Sequence, residues 1–308
     1  MEHSHAHSHA GHHHGVSVAA DRGRLQVALG LILGFMAVEV AVGIAVDSLA
    51  LLADAAHMLT DAAALALSLL AIRLAARPAA GSMTFGWQRA GILSAQFNGA
   101  TLLILGLLIV VEGVRRLIEP PGVEGGAVLI VALIGIVVNL GATYTLSGAN
   151  RDSLNVEGAF QHLLTDLAAF VFTAIAGLVI VTTGFDRADG IASLIIAAIM
   201  LWAAYGLLRE SGRVFLEAAP RGLDPDEIGR MLAGRPGVYE VHDLHVWEVT
   251  SGFPALSAHV VVDAEADCHM VRLELEHELQ ERFDLDHTTL QVDHRHRDEL
   301  LQVDVRRS

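Results

Sequence analysis

The sequence predicts a membrane α-helical bundle of six transmembrane helices, followed by a small cytosolic α/β domain. Of the 308 residues, 53% are apolar and only 18% are charged, which is too apolar for an ordinary soluble protein of this length. The charge is uneven, because the residues from Arg209 onward contain 11 Arg and 21 Asp plus Glu, or −10 of the net charge of −15. We therefore expect a His-rich cytosolic N-terminal tail (1–24), a six-helix transmembrane domain (25–208) and a cytosolic C-terminal α/β domain (209–308).

Six apolar runs are each long enough, at about 20 residues, to cross a hydrocarbon core of roughly 30 Å. They lie near 25–46, 49–72, 90–112, 125–146, 159–182 and 190–208, with Pro, Gly, Asp or Ser residues between them. The first 24 residues are polar and the first apolar run is a full span, so we expect no cleavable signal peptide.

The distribution of arginine predicts the orientation of these spans. Eight Arg flank one side and three flank the other, and the side richer in Arg faces the cytoplasm. An even number of spans then places both termini in the cytoplasm, and we expect the membrane to be a bacterial cytoplasmic one. The first group is Arg22, Arg24, Arg73, Arg77, Arg89, Arg151, Arg209 and Arg213, and the second is Arg115, Arg116 and Arg187.

The polar C-terminal third predicts the element order α-β-β-α-β. Its pattern is a helix start at Asp224-Pro225-Asp226-Glu227, alternating strands from Val238 to Thr250 and from Leu256 to Val262, an amphipathic helix from Asp267 to Phe283 and a strand from Thr288 to Asp293. The single cysteine, Cys268, excludes a disulfide framework and agrees with a reducing cytosol.

The most informative motif is His-x-Leu-Thr-Asp-x-Ala-Ala, which occurs from His57 to Ala64 and again from His162 to Ala169. Residues four apart lie on one face of a helix, so each copy offers an adjacent imidazole and carboxylate. The copies fall on the second and fifth spans, which are antiparallel, near the mid-membrane depth where transporters hold their substrates. We expect His57, Asp61, His162 and Asp166 to form one metal site. Alternatively, the His and Asp of each copy could form a polar contact only with each other.

The ligand types indicate the ion and its coupling. Two imidazoles and two carboxylates suit tetrahedral Zn²⁺, whereas Mg²⁺ and Ca²⁺ prefer six or more oxygens. The choice among Zn²⁺, Cd²⁺, Co²⁺ and Ni²⁺ stays open. Metal binding requires neutral imidazole and ionised carboxylate, and the ordinary histidine pKa is about 6.5, so protons compete for the same atoms. We expect Zn²⁺/H⁺ antiport, with H⁺ as the counter-ion and no organic cofactor.

Several motifs together resemble the cation diffusion facilitator family, in particular its zinc-exporting subgroup with a His-Asp/His-Asp transport site. They are the segment from Ser48 to Asp61, Phe85-Gly86-Trp87-Gln88-Arg89, His162-Leu-Leu-Thr-Asp166 and Asp243-Leu-His-Val-Trp247. The resemblance covers about residues 25 to 293. It implies a transport site on the second and fifth helices, preference for Zn²⁺ with Cd²⁺ often tolerated, and a metallochaperone-like cytosolic domain that pairs with its twin in a homodimer.

The resemblance also implies a regulatory metal site in the cytosolic domain. By motif position its ligands would be His242, His259, His269 and Asp293, although Gln291 stands where some relatives have a ligand His. Surface histidines on an acidic domain are an equally good interpretation of these four residues.

Other polar residues leave alternatives open. Asp54, one turn before His57, could orient that imidazole or could line a water-filled vestibule. Glu39, Asn98 and Asn139 could line the ion path or bond between helices. Seven histidines within the first 14 residues could collect metal or be dispensable.

Two other functions use similar ligands. A membrane zinc sensor would bind the ion without moving it. An intramembrane metallohydrolase is disfavoured, because the sequence contains no His-Glu-x-x-His motif for a catalytic zinc. Nucleic acid is not expected as a partner, because the cytosolic domain is acidic and has no basic patch.

Overall fold

The chain folds into two compact units, which meet in sequence at Gly212 and Arg213. The computed structural model describes residues 15–45, 49–120 and 125–295. The first unit contains six long helices: α1 (Gly15–Ala45), α2 (Leu49–Ala75), α3 (Ala90–Ile118), α4 (Gly125–Ser147), α5 (Leu154–Thr183) and α6 (Arg187–Phe215).

Four of these helices are long and apolar enough, within the described residues, to cross a membrane. They are α3, α4 from Val128, α5 and α6. This confirms the predicted helical membrane region. Side chains in part of α1 and α2 lie outside the described residues, so their membrane crossing stays a prediction.

The helices extend beyond the predicted spans. α1 begins at Gly15, ten residues before the predicted start at 25, and α5 begins at Leu154 rather than at 159. The apolar run marks only the thickness of the hydrocarbon, whereas backbone hydrogen bonding continues the helix into polar sequence. Asp21 in the extended part of α1 is buried, and its Oδ1 accepts the Asn150 backbone N–H at 2.9 Å. This contact ties α1 to the chain between α4 and α5.

Buried apolar clusters hold the helices together, one of them between α5 and α6 at Ile180 and Ala192. Another joins α1, α2, α4 and α5 through residues such as Leu25, Leu65, Leu146 and Leu163. A third joins α3 and α6 to α5 and includes Leu102 and Met200.

Close approach of α3 and α6 depends on glycine. A Cβ at Gly106 would lie 3.0 Å from the Leu201 side chain, and one at Gly113 would lie 3.0 Å from Leu194. Because both the glycines and the leucines are seven residues apart, the same contact repeats along the pair. Arg116 of α3 donates to Asp189 of α6 at 2.6 Å and adds an ion pair.

The second unit has the predicted order α-β-β-α-β, which is confirmed. Its elements are α7 (Pro225–Ala233), β1 (Val238–Thr250), β2 (Phe253–Val262), α8 (Cys268–Phe283) and β3 (His287–His294). The sheet has the order β1-β2-β3, with β1 antiparallel and β3 parallel to the central β2.

Local sequence explains both helix starts in this unit. The Asp224 carboxylate accepts the Asp226 backbone N–H, and the Asp267 carboxylate accepts those of His269 and Met270. Each carboxylate satisfies free N–H groups of the first helical turn. Buried apolar residues of both helices and the strands, including Leu232, Leu256, Val260 and Leu275, form the core.

Candidate metal centre

Three of the four predicted transport ligands meet inside the helical unit. Asp61 of α2 and His162 and Asp166 of α5 bring one ligand atom each to within 4.8 Å of one another. All three side chains are buried, with exposed fractions of 4%, 1% and 5%. A carboxylate pair and an imidazole are costly to bury unless they bind each other or a cation.

The distances between these atoms fit a small tetrahedral ion. The Nε2 atom of His162 lies 2.9 Å from Oδ1 of Asp61 and 3.8 Å from Oδ2 of Asp166. Bonds of about 2.0–2.1 Å to tetrahedral Zn²⁺ place neighbouring ligand atoms about 3.3 Å apart. The two observed distances bracket this value, so the three atoms could hold a tetrahedral ion after small side-chain shifts.

Sequence spacing on α5 explains two of the three positions. His162 and Asp166 are four residues apart, so they project from the same helix face. Asp61 comes from the opposing helix α2, where Met58 and Leu65 on either side of it are almost fully buried. On α5, the Thr165 hydroxyl donates to the Gln161 carbonyl at 2.7 Å, so this threonine makes a local bond within its own helix.

The remaining predicted members of this site are His57 and Asp54. Both positions belong to α2, and His57 precedes Asp61 by one helical turn. Their side chains lie outside the described residues, so the fourth ligand and its orienting carboxylate stay predictions. The same holds for the histidines of the first 14 residues and for the side chain of Glu39.

A second cluster of possible ligands lies on the sheet of the other unit. His242 of β1 pairs directly with His259 of β2, and their ring centroids are 5.1 Å apart. Asp243 completes the cluster, with its Oδ2 atom 3.2 Å from Nδ1 of His242 and all ligand atoms within 4.8 Å. This arrangement offers two nitrogens and one carboxylate at a largely exposed position.

Asp243 reaches the cluster through a backbone irregularity. It has a φ of 49° and lies where the pairing of β1 with β2 shifts between His242 and His245. A bulge turns successive side chains out of strict alternation, so His242 and Asp243 can approach one another. From the sequence, we identified Asp243 only as part of a motif. Strict alternation along β1 would place Asp243 on the face of the sheet opposite to His242.

His269 and Asp293 are not part of this cluster in the described residues. His269 lies in the first turn of α8, and Asp293 of β3 pairs with Val261. The Asp293 carboxylate accepts the Gln291 side-chain amide at 2.8 Å. Gln291 is the β3 partner of His259, so an amide occupies the strand position next to the two histidines.

Comparison with known proteins covers nearly the whole chain. Residues 25–216 match the model of a cation efflux transmembrane domain, and residues 220–295 match the model of a cation efflux protein cytoplasmic domain. The first range contains Asp61, His162 and Asp166. The second contains His242, Asp243 and His259.

Three similar proteins have descriptive names. A Bacillus subtilis cadmium, cobalt and zinc/H(+)-K(+) antiporter is 35% identical over 92% of this chain and 92% of that protein. The metal cation efflux system protein CzcD of Cupriavidus metallidurans is 38% identical over 87% of this chain and 85% of its own. The Escherichia coli zinc transporter ZitB is 39% identical over 88% of this chain and 87% of its own.

Proposed function

The chain belongs to the cation efflux family, and from this premise we propose that it exports Zn²⁺ from the cytoplasm in exchange for protons. It is a metal cation efflux transporter and not an enzyme. The observation that carries the zinc proposal is the buried convergence of Asp61, His162 and Asp166 from two helices.

The donor set favours zinc-like ions. An imidazole nitrogen with carboxylate oxygens suits Zn²⁺ better than the harder Mg²⁺ and Ca²⁺. The relatives support this choice, because one is named as a zinc transporter and another as a cadmium, cobalt and zinc antiporter. We therefore propose Zn²⁺ as the main substrate, with Cd²⁺ and Co²⁺ as accepted neighbours and His57 as the fourth ligand.

The contact between His162 and Asp61 supports exchange of metal for protons. At 2.9 Å the imidazole and the carboxylate are within hydrogen-bonding distance, and a proton between them stabilises the pair. A metal ion needs the lone pairs of both groups, so its binding displaces that proton. The same atoms hold either the ion or the proton, which is the chemical requirement for antiport.

We further propose how the protein is placed and assembled. The six helices of the first unit cross a bacterial cytoplasmic membrane, and both termini face the cytoplasm, as the Arg distribution predicts. The cytoplasmic domain pairs with a second copy to form a homodimer. The cluster of His242, Asp243 and His259 binds a regulatory metal ion in this domain.

Zinc flux into proteoliposomes under an imposed pH gradient tests the transport proposal. We call the proposed site formed by Asp61, His162, Asp166 and His57 the metal cage. We expect flux in the wild-type protein and its loss in Asp61→Ala and in Asp166→Ala, because each variant removes a ligand from the metal cage. Glu119→Ala is the matched control, since it removes an exposed carboxylate at the end of α3. Flux that persists in both cage variants would overturn the proposal. Tight zinc binding without flux in the wild type would favour a membrane zinc sensor.

A further inference from the structure

Four buried polar side chains lie within about two helical turns of the metal cage, where α2, α3 and α5 meet. Their exposed fractions are 2% or less, and none of them belongs to the proposed ligands. We call this set the polar seam; its members are Ser68 of α2, Ser94 and Asn98 of α3 and Asn155 of α5.

Contacts within the polar seam link the three helices. The Asn155 side-chain amide donates to the Ser68 backbone carbonyl at 3.0 Å, and the Ser68 and Ser94 hydroxyl oxygens lie 3.4 Å apart. The Oδ1 atom of Asn155 has no hydrogen-bond partner among the described residues. The polar seam therefore contains a buried acceptor that no described donor satisfies.

Asn98 is the most informative member of the polar seam. Its side chain is fully buried, yet neither the Nδ2 nor the Oδ1 atom has a hydrogen-bond partner within the described part of the chain. Gly158 of α5 lies beside it, because a Cβ at position 158 would be 3.5 Å from Nδ2 of Asn98. A buried amide without a partner destabilises a protein, and an apolar residue of similar size would pack there at lower cost.

The polar seam lines up with the cage along both ligand helices. Ser68 follows Asp61 by seven residues on α2, and Asn155 precedes His162 by seven on α5, so each lies two turns away on the same face. Seven residues correspond to about 10 Å along a helix. Gly158, beside Asn98, is one turn from His162. The seam thus extends from the cage toward the helix ends near Arg73 and Arg151, which face the cytoplasm in the proposed orientation.

We propose that the polar seam is the hydrated route by which the divalent cation passes between the cytoplasmic helix ends and the cage, with Oδ1 of Asn98 as an intermediate ligand. This inference rests on the proposed transport function and identifies where the ion enters. A neutral amide oxygen binds a partly hydrated cation weakly, whereas the carboxylates of the cage bind it tightly. A weak ligand one turn before a strong one lets the ion lose its water in steps.

The variant Asn98→Leu separates conduction from binding. We expect zinc flux to fall roughly 10- to 100-fold, the range that corresponds to the loss of one polar contact to a charged group. We expect the zinc affinity of the purified protein to stay unchanged, because the cage is intact. The melting temperature should stay the same or rise, since an unpartnered amide is removed. Asn98→Ser, which restores an oxygen, should recover part of the flux.

Thr143→Val is the matched control for this variant. Thr143 of α4 is also buried, and its hydroxyl has no hydrogen-bond partner among the described residues, but it lies outside the polar seam. Its removal should leave flux unchanged. Wild-type flux in Asn98→Leu would overturn the route. A parallel fall of melting temperature and flux would overturn it as well, because packing alone explains that result.

Thiol labelling tests the hydration of the seam directly. In a Cys268→Ser background, Asn98→Cys should react with a small methanethiosulfonate reagent, and Zn²⁺ should slow the reaction. Phe97→Cys is the control at the same depth, since Phe97 is exposed and faces lipid in the proposed membrane. Equal, zinc-independent labelling at both positions would contradict the route.

The Asp61→Ala and Asp166→Ala variants test the cage independently, so failure of the route and failure of the proposed function give different results.

Discussion

The aromatic ring of Phe170 on α5 lies directly over Gly135 of α4. A Cβ at position 135 would overlap the Cδ1 and Cε1 atoms of this ring, well inside van der Waals contact. Phe170 follows Asp166 by four residues and therefore lies one turn beyond the metal cage on the same helix face. The absence of a side chain at one glycine sets the separation of α4 and α5 next to the site.

We expect Gly135→Ala to destabilise the helical unit by about 1–3 kcal/mol, because overpacking forces Phe170 or α4 to move. Thermal unfolding in detergent measures the effect. Gly141→Ala on the same helix is the control, since its Cβ would have Leu31 as nearest neighbour at 3.8 Å. Adding Phe170→Leu to Gly135→Ala should restore stability. Equal stability of the two alanine variants would contradict this assignment of the contact.

We expect His162→Ala to weaken zinc binding by more than the roughly 100-fold that loss of an outer-shell partner can cost. The change removes a ligand and also leaves the Asp61 carboxylate without its contact at 2.9 Å. Calorimetry on the full chain measures it, in a His242→Ala/His259→Ala background that removes the cytosolic cluster. Unchanged affinity would show that the imidazole is not a ligand.

We expect zinc binding to release protons and to weaken as the pH falls, because the metal and the protons need the same lone pairs. Calorimetric titrations in buffers with different ionisation enthalpies give the number of protons released. Asp166→Asn should reduce this number, since an amide cannot take up the proton. Zinc binding with no proton release at any pH between 6 and 8 would contradict the exchange mechanism.

We expect Asp243→Asn to lower the zinc stoichiometry of the full chain by one ion per chain while the cytosolic domain stays folded. Asn tolerates the positive φ of this position, so the change removes the carboxylate without adding backbone strain. Asp284→Asn is the matched control, because Asp284 has a similar φ of 54° but caps α8 away from the cluster. A loss of zinc in both variants would exclude a specific role for Asp243.

Sequence periodicity predicted the elements whose residue pattern follows from which side chains face lipid, water or the protein core. Apolar runs of membrane length gave the helical region, and alternation gave β1 and β2, because each pattern follows from which face is buried. The meeting of Asp61 with His162 and Asp166 was predictable too, since the repeated motif on antiparallel helices allows few other arrangements. The structure places these three together, whereas His57 stays a prediction.

The features that sequence could not supply depend on how elements approach one another. Asn98 is one of several polar residues in apolar runs, and only its packing against Gly158 shows that its amide is buried without a partner. Asp243 joins His242 and His259 through a local irregularity of the strand pairing, which no alternation pattern encodes. Both features depend on contacts between elements that are distant from one another along the chain.

The cage divides its described ligands unequally between two helices. His162 and Asp166 both belong to α5, so the helical repeat fixes their spacing even if α5 moves as a rigid body. Among the ligands whose side chains are described, only Asp61 belongs to α2, the helix that also carries the proposed fourth ligand His57. In the proposed site, the geometry of the cage therefore depends on the separation of α2 from α5 at Asp61. In the proposed transport mechanism, a shift of α2 relative to α5 would change the 2.9 Å contact between Asp61 and His162 and leave the spacing of His162 and Asp166 unchanged.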